Sequence, residues 1–144
     1  MKPAIRHVCF DLDNTLVDDT GHHFRPGMRQ LLDSLKAHDI TVSLWTASTT
    51  DRAWDILKHH GLYEYFAHCI CREDYDPEST WESKDISYLN ADLLVDDWPE
   101  HIEFVIRSGR QGFLITPFYN LQETTSMKEL QQLHELILPG VPWP

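Results

Sequence analysis

The sequence predicts an α/β fold, a three-layer sandwich in which helices cover both faces of a central parallel sheet. Five short apolar runs alternate along the chain with stretches whose apolar residues recur at helical spacing. This alternation is typical of parallel strands joined by right-handed helical crossovers. The 144 residues contain no internal repeat or linker. We therefore expect one domain over residues 1–138 and a Pro-rich, extended tail over residues 139–144.

The five apolar runs are the predicted strands, and four of them end in polar residues. Short runs rich in Val, Ile and Phe suit strands that are buried on both faces. The predicted strands cover residues 5–10, 41–45, 67–71, 93–95 and 113–116, of which the third is the weakest.

Four helical stretches separate or follow these strands. Proline favours the first turn of a helix, Ser and Thr favour its N-cap, and glycine favours its end. The helices are predicted to begin near Pro26, at a cap among residues 48–50, at Pro99 and at residue 127. Gly61 ends the second and Gly109 the third, whereas the fourth is amphipathic and runs to residue 138.

Composition and charge exclude several classes of protein. Hydrophobic residues make up 42% of the chain and charged residues 24%, which excludes disordered and collagen-like proteins. A net charge of −11 disfavours binding to nucleic acid or to an anionic membrane. The three cysteines, the lack of a long apolar run and the absence of a signal-peptide pattern favour a reducing, cytoplasmic location.

Chemically useful side chains stand where the first, second and fourth strands end. Ligands of open α/β sheets bind at the carboxyl ends of the strands, so these side chains are expected to converge although they are distant in sequence. Any one of them alone also fits a turn or a helix cap, but their combination favours a site. They are Asp11, Asp13, Thr46, Asp96 and Asp97.

The chemistry of such a cluster is that of a metal and a phosphate. Four carboxylates in one pocket repel each other unless a cation neutralises them, and all-oxygen ligation favours a hard ion such as Mg²⁺. The ion also attracts an anionic phosphate. Asp11 is placed to attack phosphorus, and Asp13 to act as general acid and then base. A Thr hydroxyl and a Lys ammonium would hold the phosphoryl oxygens.

Four segments carry a resemblance to the haloacid dehalogenase superfamily. DLDNTLV resembles its motif I, LWTAS its motif II, SKDISYL its motif III with Lys84, and LLVDD its motif IV. RPGM, CRED and KDISYLNADLLVDDWP are further similar to the branch with the small CTD phosphatases and the NLI-interacting-factor-like phosphatases. The resemblance covers residues 5–116.

This resemblance implies a Mg²⁺-dependent phosphatase that works through an aspartyl phosphate. It makes Asp11 the nucleophile and Asp13 the acid and base, and it assigns the phosphate to Asp11 and three further residues, Thr46, Ala47 and Lys84. It also implies that Asp11, the main-chain carbonyl of Asp13 and the two motif IV acids, Asp96 and Asp97, bind the metal. Motif IV of this branch commonly reads Asp-Asn, so the adjacent acids leave open which of the two touches the ion directly.

The gaps between the motifs bear on the substrate. Relatives insert a cap domain after motif I or before motif III. Here the first gap holds ten residues, 16–25, and about twelve positions separate Arg72 from Lys84, so neither gap can hold a domain. An open site favours a phosphate displayed on a macromolecule, such as phosphoserine or phosphothreonine in a protein. Small phosphate esters and nucleic-acid phosphate ends stay as alternatives.

Other functions and residues are weighed beside this interpretation. A receiver module shares the acids, Thr and Lys but orders them differently along the strands, and a catalytically silent module would lack motif residues that this chain has.

Arg72 follows the third strand and fits either phosphate binding or a surface ion pair. His22 and His23 are interpreted as loop surface. Three tryptophans, Trp45, Trp54 and Trp98, are expected in or near the core, and Trp81 is expected to line the entrance.

Overall fold

The computed structural model describes residues 3–119 and 123–144, which form alternating strands and helices. The strands are β1 (His7–Phe10), β2 (Thr41–Trp45), β3 (Cys69–Ile70), β4 (Leu93–Asp96) and β5 (Gln111–Leu114). The helices are α1 (Met28–Ala37), α2 (Thr50–His59), α3 (Arg72–Tyr75), α4 (Pro99–Arg107) and α5 (Glu123–Ile137), with short 3₁₀ helices at Tyr63–Tyr65 and Ile86–Leu89.

The five strands form one parallel sheet in the order β3-β2-β1-β4-β5. Val8 of β1 lies opposite Val42 of β2 on one side and Leu93 of β4 on the other. The strand order therefore reverses direction at β1, and a ligand crevice forms outside the carboxyl ends of strands at such a point. The ends of β1, β2 and β4 are the places where the sequence puts its polar residues.

Helices cover both faces of the sheet. On one face, Phe10 and Leu44 pack with apolar residues of α1, α2 and α5, among them Leu32, Leu57 and Leu133. A second cluster on the other face joins the sheet to α4 and to the 3₁₀ helix Ile86–Leu89; its members include Cys9, Trp45, Leu94, Ile102 and Val105. The predicted three-layer α/β sandwich is confirmed.

The last strand and the last helix lie earlier in the chain than predicted. β5 covers Gln111–Leu114 because Gln111 pairs with Leu93, and Gly112 lets Ile102 of α4 pack closely on the strand. A Cβ atom at Gly112 would come within 2.9 Å of Ile102. Thr116, predicted in the strand, instead donates its main-chain N–H to Glu129 of α5. That helix begins at residue 123 rather than 127.

The predicted tail lacks helix and strand but packs on the domain. The Trp143 ring stands edge-on to His134 of α5, with 5.5 Å between the ring centroids. The segment between β1 and α1 contains only isolated bridges, such as Asp13 with Val17, and the segment before β4 contains only α3 and one 3₁₀ helix. Residues 3–119 and 123–144 therefore include no cap domain. No helix in this part of the chain has the length and apolarity to cross a membrane.

Candidate active site

Three strand ends bring the predicted acids together. Asp11 follows β1 directly, and its main-chain N–H donates to the carbonyl of Val95 in β4 at 2.9 Å. Asp96 is the last residue of β4, and Asp97 follows it. One carboxylate oxygen from each of Asp11, Asp96 and Asp97 lies within 4.8 Å of the other two. We call these three residues the acidic cluster.

Lys84 supplies the positive charge inside the acidic cluster. Its Nζ donates to Oδ1 of Asp11 at 2.9 Å and to Oδ2 of Asp96 at 2.8 Å, and the side chain is only 2% exposed. Burial alone would lower the pKa of Lys84, but the two carboxylates outweigh burial and raise it. Burial and the charge of Asp96 raise the pKa of Asp11 well above its ordinary value. Lys84 therefore stays protonated, whereas ionisation of Asp11 carries an energetic cost.

The free oxygens of the acidic cluster compete for a single hydroxyl. Oγ1 of the buried Thr15 lies 3.3 Å from Oδ2 of Asp11 and 3.4 Å from Oδ1 of Asp97. One hydroxyl hydrogen cannot satisfy both carboxylates. Burial and the charge of Asp96 also raise the pKa of Asp97. Three carboxylates thus face one ammonium group.

This donor set fits a hard divalent cation. The oxygens are carboxylate oxygens, the ligands that Mg²⁺ prefers, and a dication would balance the excess negative charge beside Lys84. Asp11, Asp96 and Asp97 can each offer one oxygen atom. The Mg²⁺ prediction therefore has a suitable set of ligands in the structure.

The carboxylate of Asp13 does not join the acidic cluster, so the prediction that four carboxylates converge is wrong for this side chain. Its two oxygens accept hydrogen bonds from Arg52 of α2 at 2.7 and 2.8 Å. Arg52 also donates to Oγ of Ser48 and to the main-chain carbonyl of Asp19. A bidentate ion pair avoids the repulsion that Asp13 would meet beside three other carboxylates.

The loop after β2 orients its hydroxyl group. The main-chain N–H of Ser48 donates to Oγ1 of the buried Thr46 at 3.0 Å, which leaves the Thr46 hydroxyl hydrogen free to donate to a ligand oxygen. Ala47, between them, is exposed. Arg72 donates from Nε to the carbonyl of Ala47 at 2.9 Å, and its main-chain N–H donates to the carbonyl of Ser48. Arg72 therefore braces this loop.

Arg25 and Arg52 are functional candidates that the sequence analysis missed. Arg25 is 1% exposed, and it donates to the carbonyls of Thr15 at 2.6 Å, Asn14 at 2.9 Å and Thr116 at 2.5 Å. Burial lowers the pKa of Arg25 to about 10. The guanidinium ties the loop after β1 to the segment after β5. The signal in the sequence is the RPGM segment, which begins at Arg25 and carries part of the family resemblance, but only Pro26 is interpreted there, as a helix start.

Exposed aromatic rings border the site. Trp81 is 76% exposed, as expected for a residue at the entrance, and it stacks on Trp98 with 5.9 Å between the ring centroids. Trp98 is 42% exposed, so its predicted place in the core is wrong. Its main-chain N–H donates to Oδ1 of Asp96 at 3.0 Å, and its indole Nε1–H donates to the exposed Glu100 at 2.8 Å. Trp45 is buried, Trp54 is half-buried, and both loop histidines, His22 and His23, are exposed.

Comparisons with known proteins agree with this geometry. The family model of the NLI interacting factor-like phosphatases matches residues 6–140. No curated protein matches the sequence.

Solved structures with the same fold include a putative beta-phosphoglucomutase from Thermotoga maritima, 13% identical with a TM-score of 0.71 over 92% of this chain and 100% of that one. A predicted phosphatase from Clostridium acetobutylicum is 15% identical, with a TM-score of 0.67 over 94% and 99% of the two chains. A HAD-superfamily hydrolase from Ehrlichia chaffeensis is 16% identical, with a TM-score of 0.62 over 92% and 98%.

Proposed function

The chain belongs to the NLI interacting factor-like phosphatase family, a group of phosphatases of the haloacid dehalogenase type, and we propose that it is a Mg²⁺-dependent phosphomonoesterase that works through a phosphoaspartate. The observation that carries this proposal is the acidic cluster with Lys84 buried inside it. Asp11 would be the nucleophile and Asp13, two residues later, the general acid and base.

The metal would be held by Asp11, by the main-chain carbonyl of Asp13 and by the motif IV acids, Asp96 and Asp97. When bound, it supplies the positive charge that lets a phosphate dianion approach three carboxylates. Lys84 fixes Oδ1 of Asp11 and remains charged at neutral pH, so it can also stabilise a phosphoryl oxygen. Thr46 would donate its free hydroxyl hydrogen to a second phosphoryl oxygen.

The proposed reaction has two steps that share one proton carrier. In the first, a carboxylate oxygen of Asp11 bonds to phosphorus while the ester P–O bond breaks, and the carboxyl proton of Asp13 passes to the leaving oxygen. In the second, water attacks phosphorus, its proton passes to the Asp13 carboxylate, and inorganic phosphate leaves while Asp11 is regenerated. Asp13 must leave Arg52 to reach the leaving oxygen, because the two now form a bidentate ion pair.

We propose phosphoserine or phosphothreonine of a protein as the substrate. The gaps beside the site are short, so bulk solvent and a large substrate can reach the acidic cluster. Contacts with groups beyond the phosphate can lower the barrier only for substrates that extend across the surface. Small phosphate esters and nucleic-acid ends share the same reactive group and therefore serve as competing substrates in the test.

The experiment measures phosphate release from p-nitrophenyl phosphate, sugar phosphates, nucleotides, phosphoamino acids and phosphopeptides, with EDTA or with added Mg²⁺. We expect EDTA to abolish hydrolysis, Mg²⁺ to restore it, and phosphopeptides to have the highest kcat/KM. Undiminished turnover in EDTA would contradict the proposed dependence of hydrolysis on a metal ion. A small ester whose kcat/KM exceeds that of every phosphopeptide by about a hundredfold, or about 2.7 kcal/mol of transition-state binding, would contradict the proposal of a protein substrate.

A further inference from the structure

A cavity of about 420 Å³ lies on the β2–β3 side of the molecule, and its walls are aromatic and acidic. Small-ligand sites usually range from about 300 to 1,000 Å³. The lining contains no Lys, Arg or His residue. The residues that matter here are Trp45, Tyr75, Tyr88, Asp74 and Asp85.

The cavity lies beside the acidic cluster, because its lining residues adjoin Thr46 and Lys84. Trp45 immediately precedes Thr46, and Asp85 immediately follows Lys84. Tyr75 is close enough to Lys84 for that charge to lower its pKa, although burial raises the pKa overall. A substrate whose phosphate lies at the acidic cluster can therefore place a neighbouring group in the cavity.

Two tyrosine rings stand against the buried Trp45 in the wall of the cavity. The Tyr75 ring meets Trp45 with 5.4 Å between the centroids and 71° between the planes. The Tyr88 ring meets Trp45 at 6.4 Å and 87°. Both tyrosine rings thus stand nearly perpendicular to the indole. The faces of aromatic rings carry negative charge density and attract cations. Trp45 is buried, so Tyr75 and Tyr88 present the accessible ring surface.

Two carboxylates strengthen the preference for a cation. Oδ2 of Asp74 accepts the main-chain N–H of Cys71, and Oδ1 of Asp85 accepts that of Ser87. Within residues 3–119 and 123–144, the second oxygen of each carboxylate forms no hydrogen bond. The cavity thus offers negative charge to a cation.

We propose that this cavity binds a Lys or Arg side chain that flanks the phosphorylated residue of a peptide substrate. The inference rests on the proposed phosphatase function and names a specificity element for it. A peptide with a Lys or Arg residue beside its phosphorylated residue carries the cation that the two carboxylates attract, at a short distance from the phosphate. A second phosphate or an acidic side chain would be repelled by Asp74 and Asp85.

The test compares phosphoserine peptides that differ at one residue, either Arg or Gln, placed one to three residues before or after the phosphoserine. We expect Arg at one position to raise kcat/KM at least about fivefold over Gln. Tyr88→Ala and Asp85→Asn should each remove most of this preference. Both side chains are exposed, and Asn keeps the helix-capping oxygen of Asp85, so both variants should fold.

Tyr63→Ala is the matched control for Tyr88→Ala. Tyr63 is an exposed tyrosine that follows the C-terminal end of α2, at the opposite edge of the sheet from the site, and it packs on Trp54. The control should keep the full preference for Arg. All three variants should hydrolyse p-nitrophenyl phosphate at the wild-type rate, because that ester carries no cation for the cavity.

A binding measurement distinguishes failure of this inference from failure of the proposed function. In the Asp11→Asn variant, Trp fluorescence titrations should give a Kd for the Arg peptide at least about fivefold below that for the Gln peptide. Equal values for both peptides, at every position tested, would overturn the inference even if all of them are hydrolysed. Preference for phosphoethanolamine over a neutral alkyl phosphate, without any preference among peptides, would overturn the peptide assignment. A total lack of hydrolysis with intact Arg selectivity in binding would refute only the proposed function.

Discussion

Replacement of Lys84 by Met should destabilise the protein strongly. Lys84 is 2% exposed and forms hydrogen bonds with two buried carboxylates, those of Asp11 and Asp96. Methionine keeps most of the side-chain length, so the main change is the loss of charge rather than a cavity. Removal of one partner from a buried ion pair costs about 3–5 kcal/mol. Because the pKa of Asp11 is already raised, this carboxylate can take up a proton, and we expect a loss near 3 kcal/mol.

The measurement is urea-induced unfolding at neutral pH in EDTA, with the free energy extrapolated to water. Lys58→Met is the control, since Lys58 is exposed on α2 and its replacement should change the free energy of unfolding by less than about 0.5 kcal/mol. The double variant Lys84→Met with Asp96→Asn should recover part of the loss, because it removes one of the uncompensated carboxylates. Mg²⁺ should stabilise Lys84→Met more than the wild type.

Two outcomes would refute this reasoning. A loss below about 1 kcal/mol in the free energy of unfolding of Lys84→Met would contradict the argument. It would mean that the buried carboxylates of Asp11 and Asp96 lose little stability without their ammonium partner. A double variant that is less stable than Lys84→Met would mean that Lys84 acts through packing rather than charge. If Lys84→Met fails to fold, the double variant still decides between the two explanations.

Three further predictions concern single side chains. Asp11→Asn should abolish turnover, and residual activity above a trace would contradict the role of Asp11 as nucleophile. The same variant should have a higher free energy of unfolding in EDTA, because an amide is not repelled by the neighbouring carboxylates. Arg52→Ala should cost about 1 kcal/mol or less in urea unfolding, because its ion pair with Asp13 is partly exposed; a loss of several kcal/mol would contradict this. Burial lowers the pKa of His134 below 6.5, so the unfolded state binds more protons and stability should fall as pH drops below about 6.5. His134→Gln, which can still bond to Ser34, should weaken this pH dependence, and an unchanged profile between about pH 7.5 and 5.5 would contradict the assignment.

The sequence predicted the layers and the site because both depend on patterns within short segments. Val8, Leu44 and Val95 lie in apolar runs of strand length, and each run stops at a residue that water or a ligand must solvate. Parallel strands bring these stops to one edge of the sheet, so the place of Asp11 and Asp96 followed from the fold class alone. Lys84 does not stand at a strand end, and the sequence predicts it only as a phosphate contact through the family resemblance; its hydrogen bonds to Asp11 and Asp96 come from the structure.

The sequence could not predict contacts between segments that carry no pattern of their own. Nothing near Asp13 indicates that Arg52, 39 residues later, would take its carboxylate. Trp98 looks like a core residue, but its indole N–H donates to the exposed Glu100, four-tenths of the residue being accessible. Gly112 weakens the apolar pattern of β5, and only the close approach of Ile102 explains why glycine stands in that strand.

The proposed preference for an extended substrate depends on surfaces beside the acidic cluster. Relatives with a cap domain close a lid that excludes water and contacts the substrate, but residues 3–119 and 123–144 contain no such domain. Two aromatic features lie beside the acidic cluster instead, the stacked pair Trp81 and Trp98 and the cavity at Trp45, which also has acidic walls. Both adjoin motif residues, since Trp98 follows Asp97 and the cavity includes the residue after Lys84. A phosphate ester too short to reach either feature gains binding energy from the phosphate alone, which is why an extended substrate should have the higher kcat/KM.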